Sequence, residues 1–98
     1  MSTFVYPSTP TDHSGTVTSG GTAQVAIPAN ARRKGFGVYN PASATEVLLM
    51  SFLGAASATN SISLAAGEEY EANSGVIPNT DISVLGQTTT HAFVAWEY

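Results

Sequence analysis

The run Glu46-Val47-Leu48-Leu49-Met50-Ser51-Phe52-Leu53 is the most apolar in the 98-residue chain, and the fold class depends on whether it forms a helix or a strand. Its composition would also suit a helix, and periodicity alone does not separate a buried helix from a buried strand over so short a run. The run follows a turn signal at residues 40–43 and ends where a loop of small residues begins at Gly54. Its shortness and these boundaries predict a central β-strand.

The segments on either side of this run predict further short strands. Residues 22–27 alternate so that Ala23, Val25 and Ile27 share one face, which is typical of a half-buried strand. Turns containing Gly, Pro or Asn recur at the spacing of about 8–12 residues that is typical of a sandwich or barrel. The sequence therefore predicts an all-β protein, a single small antiparallel β-sandwich or barrel over residues 15–98. The remaining strands are predicted at residues 36–39, 61–64, 69–71, 81–85 and 90–98.

Residues 1–14 predict an extended N-terminal arm that is rich in Pro, Ser and Thr. Pro7 and Pro10 disfavour a helix and favour an extended path. The arm also carries the apolar cluster Phe4, Val5 and Tyr6, which a solvated tail would not need. We favour contact with a partner subunit as the role of this cluster, and packing against its own domain is the alternative.

Composition excludes several classes of protein. The absence of cysteine excludes a disulfide framework and a thiolate metal site. A net charge of −4 with three basic residues provides no electrostatic footprint for nucleic acid. No signal peptide and no apolar run of membrane-spanning length are visible. We therefore expect synthesis in the cytoplasm, no cofactor or metal, and neither nucleic acid nor a membrane as partner. With only 10% charged residues and a thin core, a domain that completes its burial against neighbours is expected.

Residues that could carry catalysis are few. The two histidines are His13, beside Asp12 and Ser14 on the arm, and His91 at the start of the last strand. A nucleophilic triad needs side chains that converge from separate segments, which adjacent residues do not achieve. We predict no catalytic residues.

The acidic cluster Glu68, Glu69 and Glu71 is interpreted as a rim that contacts a partner. Glu69 and Glu71 should share one face of a short strand, with Glu68 on the other. A glycosidase pair would need a cleft that so small a core hardly provides, and the loop pattern of a calcium site is missing.

The basic triplet Arg32, Arg33 and Lys34 holds all the positive charge and is predicted to form one exposed turn. We favour a subunit contact in which arginine forks onto carboxylates of a partner. Two copies side by side could also pair this turn with the acidic rim. A solvated turn that protects the sheet edge is the alternative.

The last strand places Trp96 and Tyr98 on one face and Phe93 on the other. Ordinary core packing is the favoured interpretation of Trp96. The alternative is a platform on which sugars stack, formed by Trp96 and Tyr98 with Tyr39 or Tyr70 as further candidates.

Residues 15–98 also resemble small β-structured virion proteins of tailed bacteriophages. The resemblance rests on the order of several segments: a Gly/Thr-rich first strand at residues 16–27, Asn30-Ala31-Arg32-Arg33-Lys34-Gly35, Leu64-Ala65-Ala66-Gly67-Glu68 followed by Tyr70, residues 77–86, and Ala95-Trp96-Glu97-Tyr98. Similar chains serve as head decoration (cement) proteins or as segments of head and tail fibres. The resemblance implies no catalytic residues.

Taken together, the residues and the resemblance predict a structural protein on the capsid surface of a virion. The expected partner is the major capsid protein, with homo-oligomers forming on the particle. The alternative is a carbohydrate-binding or host-adhesion module of a fibre. The short chain, which starts at Met1 and lacks a long repetitive shaft, favours decoration.

Overall fold

The computed structural model describes residues 9–98, and this part of the chain consists of β-strands and loops without a helix. None of its elements is a helix long and apolar enough to cross a membrane. The nine strands in residues 9–98 are β1 Thr11–Asp12, β2 Gly15–Thr16, β3 Gln24–Ile27, β4 Phe36–Tyr39, β5 Leu48–Ser51, β6 Ile62–Leu64, β7 Glu69–Ala72, β8 Ile82–Leu85 and β9 Ala92–Glu97.

The strands form two antiparallel sheets that pack face to face as a β-sandwich, which confirms the predicted fold class. One sheet has the order β1-β9-β4-β7, and β2 pairs with β9 beside β1. The other sheet has the order β3-β8-β5-β6. Side chains from both inner faces fill the core, including Phe36, Val38, Leu48, Met50, Ile82, Val84, Phe93 and Ala95.

The apolar run at residues 46–53 contains an inner strand, β5, as predicted. β5 lies between β8 and β6, so its backbone is hydrogen-bonded on both edges. Leu48 and Met50 alternate onto the inner face and are fully buried. After Ser51 the chain leaves the sheet and loops back over its outside, where Ala56 N donates to Ser83 Oγ at 2.9 Å.

The face predicted for Val25 is wrong. Val25 is 51% exposed, whereas Ala26 and Ile27 are both buried. A β-bulge between Val25 and Ile27 shifts the register against β8, so the simple alternation of the sequence does not persist through β3. An extra residue in one strand turns the following side chain to the other face.

The described part of the N-terminal arm packs on its own sheet. Thr11 and Asp12 pair with Glu97 and Trp96, and Gly15 pairs with Phe93 farther along β9. Between the two short strands, His13 N donates to Ala95 O at 2.8 Å. The predicted contact residues Phe4, Val5 and Tyr6 lie outside the described residues.

The loop between β7 and β8 carries the most exposed large hydrophobic side chain among residues 9–98, Val76 at 96%. Its neighbour Gly75 has a φ of +73°, a backbone conformation that favours glycine. An added Cβ at Gly75 would have no atom within 4 Å, so the tip of this loop stands clear of the fold.

Candidate functional site

Predicted contact residues from separate segments meet around the carboxyl end of β9. The carbonyl of Tyr98 accepts hydrogen bonds from Lys34 N at 2.6 Å and Gly35 N at 2.9 Å. The Tyr98 hydroxyl donates to Glu71 Oε2 at 3.2 Å. The basic turn, the acidic strand β7 and the aromatic end of β9 are therefore neighbours in the fold, although the sequence separates them widely.

The outer side of the five-stranded sheet forms the surface that we call the β9 face. It comprises the outward residues of β1, β4, β7 and β9, together with Tyr98. These residues are Asp12, Gly37, Tyr39, Glu69, Glu71, Val94, Trp96 and Tyr98.

Trp96 lies with a ring face against Gly37, its partner across β4 and β9. A Cβ added at Gly37 would lie 2.0 Å from Cζ2 of the indole, 2.4 Å from Cε2 and 2.6 Å from Cη2. Because the two flanking atoms are almost as near as the central one, the added carbon would stand above the ring rather than beyond its edge. The opposite ring face points outward. Trp96 is half-buried and lies outside the core cluster, so the core packing favoured for it from the sequence is wrong.

Tyr98 repeats this arrangement over Gly35, where an added Cβ would lie 2.7 Å from the tyrosine Cε1. An aromatic ring that covers a glycine on the neighbouring strand supplies the packing that the glycine lacks. Burial and the hydrogen bond to Glu71 raise the pKa of Tyr98 above its ordinary value. The sequence alone does not identify Gly35 and Gly37 as neighbours of the two rings, because only the strand register reveals the pairing.

Three carboxylates flank these rings on the β9 face. Asp12 lies opposite Trp96 on β1, while Glu71 and Glu69 lie on β7 opposite Gly37 and Tyr39. All three are exposed, and Glu69 and Glu71 share a face as predicted. Hydrogen bonds from Ser14 lower the pKa of Asp12 from its ordinary value, so this edge of the face is negative at neutral pH.

Two residues of the predicted surfaces turn away from the β9 face. The Glu68 carboxylate accepts a hydrogen bond from Ala65 N at 2.7 Å within its own turn. Tyr70 points into the sandwich, where its ring lies 5.9 Å from that of Phe36 and 6.1 Å from that of Phe52. As a core residue, Tyr70 does not offer a stacking surface.

The basic turn is only partly exposed, so its predicted exposure is wrong for Arg33, which is 7% exposed. Arg33 Nε donates to Glu97 Oε1 at 3.0 Å, and Nη2 donates to Pro28 O at 2.8 Å. Nη1 reaches the carbonyls of Pro78 and Thr80 at 2.8 and 2.9 Å. A buried guanidinium needs this many partners, and Arg33 has few donors left for another protein. Arg32 and Lys34 remain exposed.

Glu97 is the carboxylate that keeps Arg33 inside the fold. It follows Phe93 and Ala95 on the inward side of β9, and it also contacts Asn30 Nδ2 at 3.2 Å and His13 Nε2 at 2.8 Å. Burial opposes its ionisation, but the hydrogen bonds from Arg33, Asn30 and His13 outweigh that effect and lower the pKa of Glu97. The alternation of β9 could have revealed the burial of Arg33. It places Glu97 on the inward side of the strand, and an inward glutamate needs a buried cation.

His91 lies beside a surface cavity of about 230 Å³ between two loops. Its Nε2 lies 2.8 Å from Asn40 Oδ1, and its Nδ1 lies 3.6 Å from Glu46 Oε2. The hydrogen bond from Thr88 lowers the pKa of Glu46, whose Oε2 also accepts Gln87 N at 2.7 Å. Thr90, with a φ of 75°, completes the turn. These contacts hold the two loops together, and the ring nitrogens of His91 lie beside an amide oxygen and a carboxylate oxygen.

Comparisons of the chain with protein-family models, curated protein sequences and solved structures find no match. The function of the chain is therefore inferred from its residues, from the geometry of the β9 face and from the resemblance to virion proteins.

Proposed function

We propose that the protein is a structural virion protein of a tailed bacteriophage, a capsid decoration protein that binds the outer capsid surface and stabilises the head. The observation that carries the proposal is the convergence at the carboxyl end of β9. There, two segments predicted separately as contact surfaces, the basic turn and the acidic β7, both adjoin the aromatic end of β9.

The direction of β1 supports this role for the arm. β1 runs antiparallel to β9, with Thr11 opposite Glu97. The strand β1 therefore begins, at Thr11, at the end of the sandwich that carries Tyr98 and the basic turn. In the proposed mechanism the cluster Phe4, Val5 and Tyr6 docks on the major capsid protein, and the end of the sandwich rests beside it. A protein that binds only the assembled shell stabilises it by mass action, and many copies on one particle add avidity.

The test uses heads of the phage that encodes the chain, purified without this protein. Deletion of residues 2–10 should leave the sandwich folded and abolish attachment to gradient-purified heads. A triple substitution, Phe4→Ser, Val5→Ser and Tyr6→Ser, should have the same effect, while Ser2→Ala with Thr3→Ala should bind as the wild type does. Full retention of the deletion variant on heads would overturn the role of the arm. Heads that fail to bind even the wild-type chain would overturn decoration itself.

A second candidate function, carbohydrate binding by a head or tail fibre, is favoured by the orientation of Trp96. An indole with one ring face against the sheet and the other outward suits the apolar face of a sugar ring. Carboxylates beside it, such as Glu71, could accept hydrogen bonds from hydroxyl groups. Glycan-array binding that Trp96→Ala removes, with the circular dichroism spectrum unchanged, would support this candidate. An array without signal for the wild-type chain would reject it.

A further inference from the structure

The cavity beside His91 is lined by a ring nitrogen that takes part in none of the hydrogen bonds within residues 9–98. The His91 side chain is only 6% exposed, and its Nε2 lies 2.8 Å from Oδ1 of the fully buried Asn40. Its Nδ1 lies 3.6 Å from Glu46 Oε2, which is beyond hydrogen-bond distance. No fully buried side-chain nitrogen or oxygen in this part of the chain lacks a hydrogen bond, so Nδ1 is accessible from the cavity.

The Asn40 amide determines which nitrogen of His91 carries the hydrogen. Asn40 Nδ2 donates to the carbonyls of Glu46 and Leu64 at 3.0 and 2.9 Å, so its Oδ1 faces the imidazole as an acceptor. The hydrogen therefore lies on His91 Nε2, and in the neutral ring Nδ1 is an acceptor with a free lone pair. An acceptor in so enclosed a position favours a ligand that carries a hydrogen-bond donor.

Glu46 adds a negative charge beside this acceptor. The hydrogen bond from the Thr88 side chain lowers the pKa of Glu46, so the carboxylate is ionised at neutral pH. Glu46 Oε2 already accepts hydrogen bonds from two backbone N–H groups, and it therefore contributes mainly charge. Because it lies 3.6 Å from His91 Nδ1, a cation that donates to Nδ1 can stand within about 4 Å of the carboxylate, the range of an ion pair.

The number of ligands favours a cation with hydrogen-bond donors over a metal ion. A histidine and a carboxylate fall short of the three protein ligands that a catalytic zinc site uses, and no group of three such residues suited to a metal occurs among residues 9–98. An ammonium group carries three N–H donors and a positive charge.

The remaining lining of the cavity suits an alkyl chain that ends in an ammonium group. Ser43, Thr45 and Thr90 line the cavity with hydroxyl groups, which are further acceptors, while Pro41 and Ala92 contribute apolar surface for the alkyl chain. The cavity volume of about 230 Å³ is more than a single water molecule needs.

We propose that this cavity binds a primary ammonium group, which donates to His91 Nδ1 and pairs with the Glu46 carboxylate. A lysine side chain of a partner protein and a small alkylamine both carry this group. The site goes beyond the proposed virion function, because the isolated chain binds the group without a capsid. A bound ammonium group would also strengthen the link between the two loops that Glu46 and His91 connect.

Titration of the isolated chain with n-butylammonium chloride, followed by nuclear magnetic resonance at about pH 8, tests the site. At this pH an alkylammonium is charged, whereas an ordinary imidazole is neutral. The Nδ1 signal of His91 and the amide signals of residues 42–46 and 87–92 should shift in a saturable manner. Tetramethylammonium chloride brings the same charge without an N–H donor and should not cause these shifts. Equal shifts with both cations, or no saturable shift, would overturn the proposal and leave the cavity to water.

Two variants locate the bound group. Glu46→Gln keeps an acceptor for the facing backbone but removes the charge, and it should weaken binding by about tenfold. His91→Gln can still donate to Asn40 but lacks Nδ1, and it should weaken binding to a similar extent. The control Asp81→Asn removes the same charge at the other end of β8 and should bind as the wild type does. Wild-type affinity in either cavity variant, with the amide spectrum showing that the variant is folded, would contradict the proposal.

A lysine peptide distinguishes the two sources of the ammonium group. If acetyl-Gly-Lys-Gly-amide binds more tightly than n-butylammonium, the site is assigned to a lysine of a partner protein, and weaker binding assigns it to a small amine. The same peptide with an acetylated lysine side chain should not bind, because the charge and two of the three donors are lost. Binding of the acetylated peptide as tightly as the unmodified one would show that no ammonium group is recognised.

Discussion

At the scale of single residues, Arg33 and Arg32 show how differently adjacent cations behave. Arg33 is enclosed by Glu97 and three backbone carbonyls and stacks at 5.6 Å over the ring of Phe36. Arg32 points outward from the same turn. The amino-acid composition does not distinguish Arg32 from Arg33. Their difference in burial depends on the inward position of Glu97 on β9, which binds Arg33.

Removing Arg33 should therefore destabilise the fold far more than removing Arg32. Arg33→Met leaves Glu97 without its main partner, and breaking a buried ion pair in this way costs about 3 kcal/mol of the free energy of unfolding. Arg32→Ala should change this free energy by less than about 0.5 kcal/mol. Urea unfolding measures both. Adding Glu97→Gln to Arg33→Met should recover part of the loss, because the unpaired carboxylate is gone. Equal effects of the two arginine substitutions would contradict this account.

Gly37 should not tolerate even a methyl group. A Cβ there would overlap the indole of Trp96, which must then lift from the sheet. Overpacking of this kind costs about 1–3 kcal/mol. Gly37→Ala should also shift the emission of Trp96, the single tryptophan of the chain, toward the red as the ring enters water. The matched control is Gly15→Ala, whose Cβ would lie 3.5 Å from Phe93, an ordinary contact. An unchanged emission spectrum for Gly37→Ala would show that Trp96 does not lie over this glycine.

At the scale of elements, β1 and β2 complete the sheet beside β9. They are only two residues each, but the link between them adds hydrogen bonds from His13 N to Ala95 O and from Ala95 N to Ser14 Oγ, the latter at 3.1 Å. The His13 ring also contacts Glu97. This segment shields the edge of β9, which would otherwise present unpaired backbone groups to solvent.

Two truncations should distinguish the contribution of the arm to stability from that of β1 and β2. Deleting residues 2–10 should change the melting temperature by no more than about 2 °C. Deleting residues 2–16 should lower it by about 10 °C or more, because several hydrogen bonds of about 1 kcal/mol each are lost. Differential scanning calorimetry measures both variants. If the two deletion variants had the same melting temperature, β1 and β2 would contribute nothing to stability.

The elements also differ in how far the sequence alone predicts them. The short run containing Leu48 and Met50, bounded by turns, was enough to predict an inner strand, and the regular spacing of turns along the chain predicted an all-β sandwich or barrel. Alternation failed at Val25, because a bulge depends on pairing with β8 rather than on local composition. The contact of Trp96 with Gly37 could not be predicted from the sequence either, because it depends on the register between β4 and β9, which are far apart in the chain. The sequence singled out Glu69 and Glu71 as an acidic surface, but it did not predict that Asp12 lies on the same face or that Trp96 lies outside the core.

At the scale of the whole molecule, stability should fall in acid. The pKa values of Glu97, Glu46 and Asp12 are all lowered in the fold, so the unfolded chain takes up protons before the folded chain does. The stability that these groups contribute is present above their ordinary pKa values, 4.5 for glutamate and 3.8 for aspartate. It is lost as the pH falls through the lowered values.

Urea midpoints measured at a series of pH values should therefore decrease below about pH 4.5, the ordinary pKa of the glutamates. Glu97→Gln should be less stable at neutral pH and show a shallower decline, because one of the linked carboxylates is gone. A decline as steep as that of the wild type would contradict the assignment of acid sensitivity to Glu97.

The exposed tip of the β7–β8 loop is a suitable site for attaching a label. The chain contains no cysteine, and Val76 stands clear of both sheets. Val76→Cys would therefore introduce a unique thiol for a fluorophore or a gold cluster. Such a label would count copies on a particle and measure distances between them without altering the β9 face.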